Sequence, residues 1–244
     1  MQILDAIQRP GGWRALVQSR PRSITSFRIV SRLRELVAEF GTIIDGGANV
    51  GQFARAAHNA YPNATILSFE PLPDLARTLA ANLRDVATHE VFEAALGSVE
   101  GRVMLHRASN GQSSSILPLL NTGKEGLEGI REVEQVAVQV VTLDGMLRDR
   151  PLTPPVLLKL DLQGYELEAL KGAKQLLGKC SHVLVESVLE RSYEREPLFD
   201  DISRFLGTAG FGCRGILNVE ENRRRHIVQI DALFCPSALS ITER

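Results

Sequence analysis

The chain has few cysteines: Cys180, Cys213 and Cys235 are the three in its 244 residues, widely spaced and without a C-x-x-C pair. That pattern excludes a disulfide framework and a cysteine zinc site, and it makes a reducing cytoplasm the expected compartment. Surplus charge is also lacking. A formal net charge of -1 argues against a protein whose main work is gripping nucleic acid. No apolar stretch reaches the roughly 18 residues of a membrane span, and the start, "MQILDAIQRPGGWRALVQSRPRS", lacks the hydrophobic region of a signal peptide. Internal repeats are missing too, and nothing in the sequence sets an oligomeric state. What is present is ordinary for a soluble globular protein, with 44% hydrophobic and 23% charged residues. The length suits one large α/β domain, or one with a small appendage.

Residues 1–40 stand apart as an N-terminal helical segment preceding a domain over 41–244. Seven arginines (Arg9, Arg14, Arg20, Arg22, Arg28, Arg32, Arg34) face three acids (Asp5, Glu35, Glu39) there. Phe27, Val30, Leu33, Val37 and Phe40 recur at helical spacing after Thr25 or Ser26, so a helix on the domain's flank is expected. Its basic face is either solvated or a contact for an acidic partner or membrane surface. From residue 42 short apolar runs alternate with amphipathic stretches: Thr42 to Asp45, Ala64 to Phe69, Val91 to Leu96, Val156 to Leu160 and His182 to Val188, with helical patterns at Pro73 to Leu83 and Tyr165 to Leu177. This alternation specifies a doubly wound, mostly parallel sheet covered on both faces. Phe211 to Val219 and His226 to Phe234, joined by "EENRRR", read as a hairpin whose last strand runs antiparallel. Residues 98–135 form an insertion with a strand "RVMLH" followed by "SNGQSSS" and "NTGKEGLEG", too long and Gly-rich for a plain connection, so a lid or substrate loop is expected.

The stretch "IIDGGANVGQF", Ile43 to Phe53, lies at the first strand-to-helix turn, where doubly wound sheets bind ligands. Gly46 and Gly47 permit close approach to backbone, Gly51 lets helix and strand pack, and Ala48 and Asn49 complete the turn. A dinucleotide loop needs G-x-G-x-x-G, and Ala48 breaks that spacing. Asp45, directly before the loop, would repel a pyrophosphate and welcome a cation. The second strand ends "LSFEPLP", which puts Glu70, followed by Pro71, 25 residues after Asp45, in position to accept hydrogen bonds from ribose hydroxyls. Its plain alternative is a surface acid capping the helix near Pro73. Loop and acid together favour a nucleoside carrying positive charge in place of phosphate, and S-adenosylmethionine fits that description.

With those motifs, and with "AALGSVEG" containing Ala95, the "SSS" of Ser113 to Ser115, "VTLDGML", and above all "LLKLDLQGYELEALKGA" from Leu157 to Ala173, the sequence resembles the FkbM family of S-adenosylmethionine-dependent methyltransferases over about residues 41–235. The resemblance implies a Rossmann-like class I methyltransferase fold of seven strands and O-methylation of hydroxyl groups on sugars or natural products. The expected acceptor is therefore a small molecule or glycan.

The fourth strand ends at Asp161 and the fifth at Glu186, so both acids reach the sheet's carboxyl edge. They can hold a magnesium ion that acidifies an acceptor hydroxyl, or act without metal as proton acceptor and substrate clamp. Lys159 shares a strand face with Asp161 and either reaches the rim or contacts substrate or the neighbouring acids. Glu166 falls in the first turn of the next helix, where it complements the dipole or joins the site. His182 begins a parallel strand at the far edge, whereas His226 begins the antiparallel strand at the active edge, a candidate base. Arg223 to Arg225 are either a solvated hairpin tip or contacts for an anionic acceptor. Ser113 to Ser115 either close over a ligand or form a plain polar loop; His58 and His106 have no assignable role. A nicotinamide oxidoreductase is disfavoured by the glycine spacing, and an amino-methyltransferase of nucleic acids by "DLQGYE" where an Asn/Asp-Pro-Pro-aromatic turn belongs. A non-catalytic nucleoside-binding module of the same fold is the remaining alternative.

Overall fold

The computed structural model describes residue 21 and residues 23–120 and 129–237. Most of the arginine-rich start and part of the insertion, residues 121–128, lie outside the described residues. Helix α1 (Ile24–Leu36) begins at Ser23, whose hydroxyl accepts from the Ser26 N–H at 3.1 Å, and stops where Val37 turns extended. Its buried Ile29, Val30 and Leu33 join the core beside α2 (Gln52–Ala60), as the helical spacing requires. Its cationic face is partly used within the chain. Arg28 and Arg32 donate to Asn218 Oδ1 and Leu217 O at 3.0 and 2.9 Å.

The main sheet contains β1 (Thr42–Gly46), β2 (Thr65–Phe69), β3 (His89–Phe92), β7 (Val156–Leu160), β8 (His182–Val188), β9 (Phe211–Glu221) and β10 (Ile227–Pro236). Its order is β3-β2-β1-β7-β8-β10-β9, and β10 alone runs against its neighbours. Side-chain alternation assigns the two faces. Ile43, Ile66, Leu157 and Leu184 pack toward α1, α2 and α3 (Pro73–Asn82), whereas Ile44, Leu67, Leu158 and Val183 pack toward α5 (Glu166–Lys171), α6 (Lys174–Leu177) and α7 (Phe199–Thr208). Strands buried on both sides carry no polar alternation, which is why β1 and β7 read as unbroken apolar runs before their charged ends.

Three expectations are corrected. The run Val91 to Leu96 is not one strand: the Ala94 N–H donates to Phe92 O at 3.0 Å, turning the chain so that β4 (Ala95–Leu96) leaves the main sheet. The insertion is bounded by two strands where one was expected: "RVMLH" lies in β5 (Gly101–Ala108), which runs antiparallel to β6 (Glu132–Val141) in a second sheet of order β4-β6-β5. It has its own apolar cluster of Leu72, Ala95, Leu105, Val138 and Val140. The helix expected over Tyr165 to Leu177 breaks at Gly172, where a Cβ would stand 2.0 Å from Gly97 O, because helix and second sheet touch there through backbone. Short helix α4 (Leu143–Leu147), capped by the Thr142 hydroxyl, returns the chain to β7. No described helix is long and apolar enough to cross a membrane.

Candidate active site

Strand order reverses direction between β1 and β7, and a cavity of about 1380 Å³ opens beyond the carboxyl ends of the strands there. The glycine loop forms one wall. Gly47 and Ala48 N–H both donate to Phe69 O at 3.0 Å, Asn49 N–H to Glu70 Oε2 at 2.9 Å, Val50 N–H to Asn49 Oδ1 at 2.8 Å and Gly51 N–H to Ala48 O at 2.9 Å. Five successive donors are thus engaged inside the protein, so the loop is not a phosphate cradle. Gly47 sits at φ +72°, and a Cβ on it would lie 1.8 Å from Asp161 O. The loop is therefore pressed against the end of β7, and Gly47, Ala48 and Asn49 line the cavity.

Asp45 is placed differently from the expectation. It is fully buried and does not line the cavity; in the β1–β7 register its partner is Lys159, whose Nζ stands 3.0 Å from Asp45 Oδ1. Burial pushes the Asp45 carboxyl up, and the lysine opposes that. For Lys159, burial works to lower the ammonium pKa, but Asp45 and Asp161 outweigh it and hold it above its ordinary value. Its Nζ also donates to Gly46 O at 3.2 Å and Gly47 O at 3.4 Å, and lies 3.7 Å from Asp161 Oδ2. Lys159 is a fixed ammonium that joins the loop to the acids, not a proton acceptor.

Glu70 and Pro71 line the next part of the cavity, facing Ala95 and Leu96. Glu70 is not the surface acid of its plain alternative: it is buried, and its Oε1 accepts from the Leu72 N–H at 3.0 Å just ahead of α3. Burial lifts its pKa to about 7 despite the two backbone donors. Each of its oxygens retains a lone pair for a hydroxyl donor.

Asp161 and Glu186 come together, joined by Gln163 of the "DLQGYE" stretch. Gln163, at φ +53°, donates its amide hydrogens to Asp161 Oδ1 at 2.9 Å and Glu186 Oε1 at 3.0 Å. The Tyr193 hydroxyl lies 3.0 Å from both Gln163 Oε1 and Ser113 O, and its single proton serves one of them at a time. Ser115 Oγ donates to Gln163 O at 2.6 Å, so the insertion serines line the cavity and grip the turn that holds the acids. Burial, then the charges of Asp161, Asp231 and Glu166, raise the Glu186 pKa well above the usual carboxylate range. Glu166 is buried; its Oε1 accepts from Leu162 and Gly164 N–H at 2.6 and 3.3 Å, and burial takes its pKa to about 7. It shapes the turn behind Gln163 and does not line the cavity.

The acid pair does not fit a metal ion. One amide bridges the two carboxylates, the Lys159 ammonium already stands 3.7 Å from Asp161 Oδ2, and among the described residues no three His, Cys, Asp or Glu are grouped to hold an ion. Magnesium is not supported. His226 is also misplaced as a base. Strand β10 begins at Ile227, so His226 lies in the turn, exposed, its backbone bonded to Asn222, and it does not line the cavity. Arg223 and Arg225 do reach the cavity's outer edge, Arg225 pairing with Glu221 at 3.0 Å. His182 packs edge-on against Phe40 at the far edge of the sheet, and His106 pairs with Glu132 at 2.7 Å.

Sequence reasoning missed Asp231 and Asn218 altogether. Asp231 lies opposite Glu186 across β8–β10 and lines the cavity; burial raises its pKa to about 7. The available signal was a lone acid inside the apolar run "IVQIDALF".

A seven-stranded doubly wound sheet with one reversed strand, a glycine loop whose donors are engaged internally and an acid after β2 define the class I S-adenosylmethionine-dependent methyltransferases. The profile of the methyltransferase FkbM domain matches residues 45–213, and the chain belongs to that family. It is 29% identical over 160 residues to the 2-O-methyltransferase NoeI of Sinorhizobium fredii, covering 62% of this chain and 65% of the relative. To the hexuronic acid methyltransferase AglP of Haloferax volcanii it is 27% identical over 160 residues, covering 65% and 60%. The match thus spans less than two thirds of either relative's length. Among solved structures, magnesium protoporphyrin IX methyltransferase of Synechocystis with bound S-adenosylmethionine aligns at TM-score 0.51 and 13% identity, over 87% of this chain and 78% of that one, a likeness of fold.

Proposed function

We propose that the protein methylates a hydroxyl group of a sugar or sugar-like natural product, using S-adenosylmethionine. The observation that carries this reading is the Asp161–Gln163–Glu186 group at the edge of a polar cavity, one lysine away from the glycine loop. The names of the two relatives, an O-methyltransferase and a methyltransferase of a sugar acid, point the same way. S-adenosylmethionine supplies a sulfonium methyl group for in-line displacement, so positioning provides much of the rate.

In this reading Glu70 accepts from the ribose hydroxyls, and Gly47, Ala48 and Asn49 let the ligand lie against backbone. The acceptor hydroxyl passes its proton to Glu186 in its ionised form as the hydroxyl oxygen takes the methyl group; burial and the neighbouring acids raise the Glu186 pKa, which strengthens it as a base and lowers the fraction that is ionised. Gln163 keeps that carboxylate aimed, and Lys159 offsets the charge of Asp45 and Asp161 beside it. The test is titration calorimetry with S-adenosylmethionine, followed by mass-spectrometric detection of methylated glycosides. Binding and turnover that fall with Glu70→Gln and Glu186→Gln respectively support the reading. Saturable binding with no product across broad acceptor panels would favour the binding-module alternative.

A further inference from the structure

The cavity is also lined by residues on both sides of the matched family region: Arg28 of α1, Asn218 of β9 and Asp231 of β10. They form one chain of hydrogen bonds. Arg28 donates to Asn218 Oδ1 at 3.0 Å, and Asn218 Nδ2 donates to Asp231 Oδ2 at 3.1 Å. A guanidinium only donates, so it settles which end of the amide faces it and which faces the acid. Asp231 is directly opposite Glu186 in the antiparallel register, so both side chains stand on the same face, and like charges in that relation destabilise a sheet. Each is nonetheless steadied by an amide, Glu186 by Gln163, which it shares with Asp161, and Asp231 by Asn218. In each case the amide engages one carboxylate oxygen. Two adjacent carboxylates so held on a cavity wall present acceptors to two neighbouring hydroxyl groups.

We propose that Asp231 binds the acceptor through the hydroxyl next to the one methylated, so that the substrate is a compound with adjacent hydroxyls, with Arg28 and Asn218 as positioning residues. This rests on the hydroxyl-methylating reading above.

The test uses the full chain, S-adenosylmethionine and a panel of methyl glycosides of hexoses and hexuronic acids. The glycoside turned over is compared with its monodeoxy analogue lacking the adjacent hydroxyl. Wild type should favour the parent by about tenfold in kcat/KM, the value of one hydrogen bond to a charged group. Asp231→Asn should bring that ratio close to one, mainly through KM for the parent, while S-adenosylmethionine affinity by calorimetry stays the same. A variant that is merely destabilised would lose both substrates and the cofactor together. Should Asp231→Asn fail to bind cofactor, Arg28→Met carries the test, with a smaller fall in the same ratio expected. Turnover in which the parent preference survives these substitutions overturns the inference and leaves the methyltransferase reading standing. Cofactor binding by wild type without methylation of any glycoside overturns the sugar reading and this inference with it.

Discussion

Along the β1–β2 side of the cavity, the contacts run through backbone: five consecutive N–H groups are engaged, three of them on Phe69 O and Glu70. Along the β7–β10 side they run between side chains, Gln163 to Asp161 and Glu186, and Asn218 to Asp231. The first arrangement depends on glycines and on strand ends; a changed side chain there either fits or breaks it. The second can exchange residues while the sheet stays intact. A shared cofactor with differing acceptors calls for such a division, because substrate choice is carried by what is grafted onto the fold.

The sharpest way to break the backbone side is Gly47→Val. A Cβ at 1.8 Å from Asp161 O, with a β-branched residue forced to φ +72°, leaves no local remedy. Loss of S-adenosylmethionine binding by calorimetry is expected, with a stability loss of more than about 3 kcal/mol in urea unfolding. Next comes the ion pair that joins the two sides. Lys159→Met leaves Asp45 charged and buried without a partner and should cost about 3–5 kcal/mol. Adding Asp45→Asn should recover a large part of that loss; a double variant no better than the single would mean the lysine acts chiefly through Asp161.

On the side-chain half the expected effects fall on rate more than on folding. Gln163→Leu removes the donor shared by Asp161 and Glu186 and should lower kcat by about a hundredfold, as misplaced reacting groups do. Cofactor affinity should change by less than about threefold. Equal losses in both would show that the two halves are not separable.

The buried acids also give a signature in pH. Glu166 has its pKa raised from 4.5 to about 7, so in that range the folded chain holds a proton that the unfolded chain has released. Its contribution is full below about pH 4.5 and is lost as pH rises through 7. Glu70 and Asp231 act in the same direction, whereas His89, lowered to about 4, acts in the opposite one. The informative quantity is therefore a difference. Between pH 5 and 8 the unfolding free energy of Glu166→Gln should fall by about 2 kcal/mol less than that of wild type. An identical pH dependence would mean that Glu166 ionises normally in the fold.

The two halves were also unequally legible. Gly47, Glu70 and Asp161 sit at short fixed offsets from strand ends, so apolar runs and turn chemistry locate them. Asp45 was found for the same reason, yet its ion pair with Lys159 was not foreseen, because that pairing depends on the β1–β7 register, which is set by residues more than a hundred positions apart. Asp231 depends on a similar distant relation, an antiparallel pairing with Glu186 that no local pattern encodes. Gln163 carries no signal of its own in "DLQGYE", because its amide meets Glu186 only once β7 and β8 are side by side. Strand β6 was hidden because the assumed insertion boundary at 135 cut through "EVEQVAVQVV".

His226 gives the smallest expected effect and the cleanest control on where the acceptor half ends. The antiparallel direction of β10 brings the start of that strand to the active edge, and this alone recommended the histidine as a base. Two more residues matter, however. The turn between β9 and β10 closes by hydrogen bonds of Asn222 with His226 and Arg225, which hold His226 in the turn ahead of the strand, with its ring in solvent. His226→Ala should therefore leave kcat/KM within about twofold and stability within about 0.5 kcal/mol, the usual range for exposed positions. A tenfold loss of kcat would place the imidazole at the reaction and extend the acceptor half to the hairpin tip.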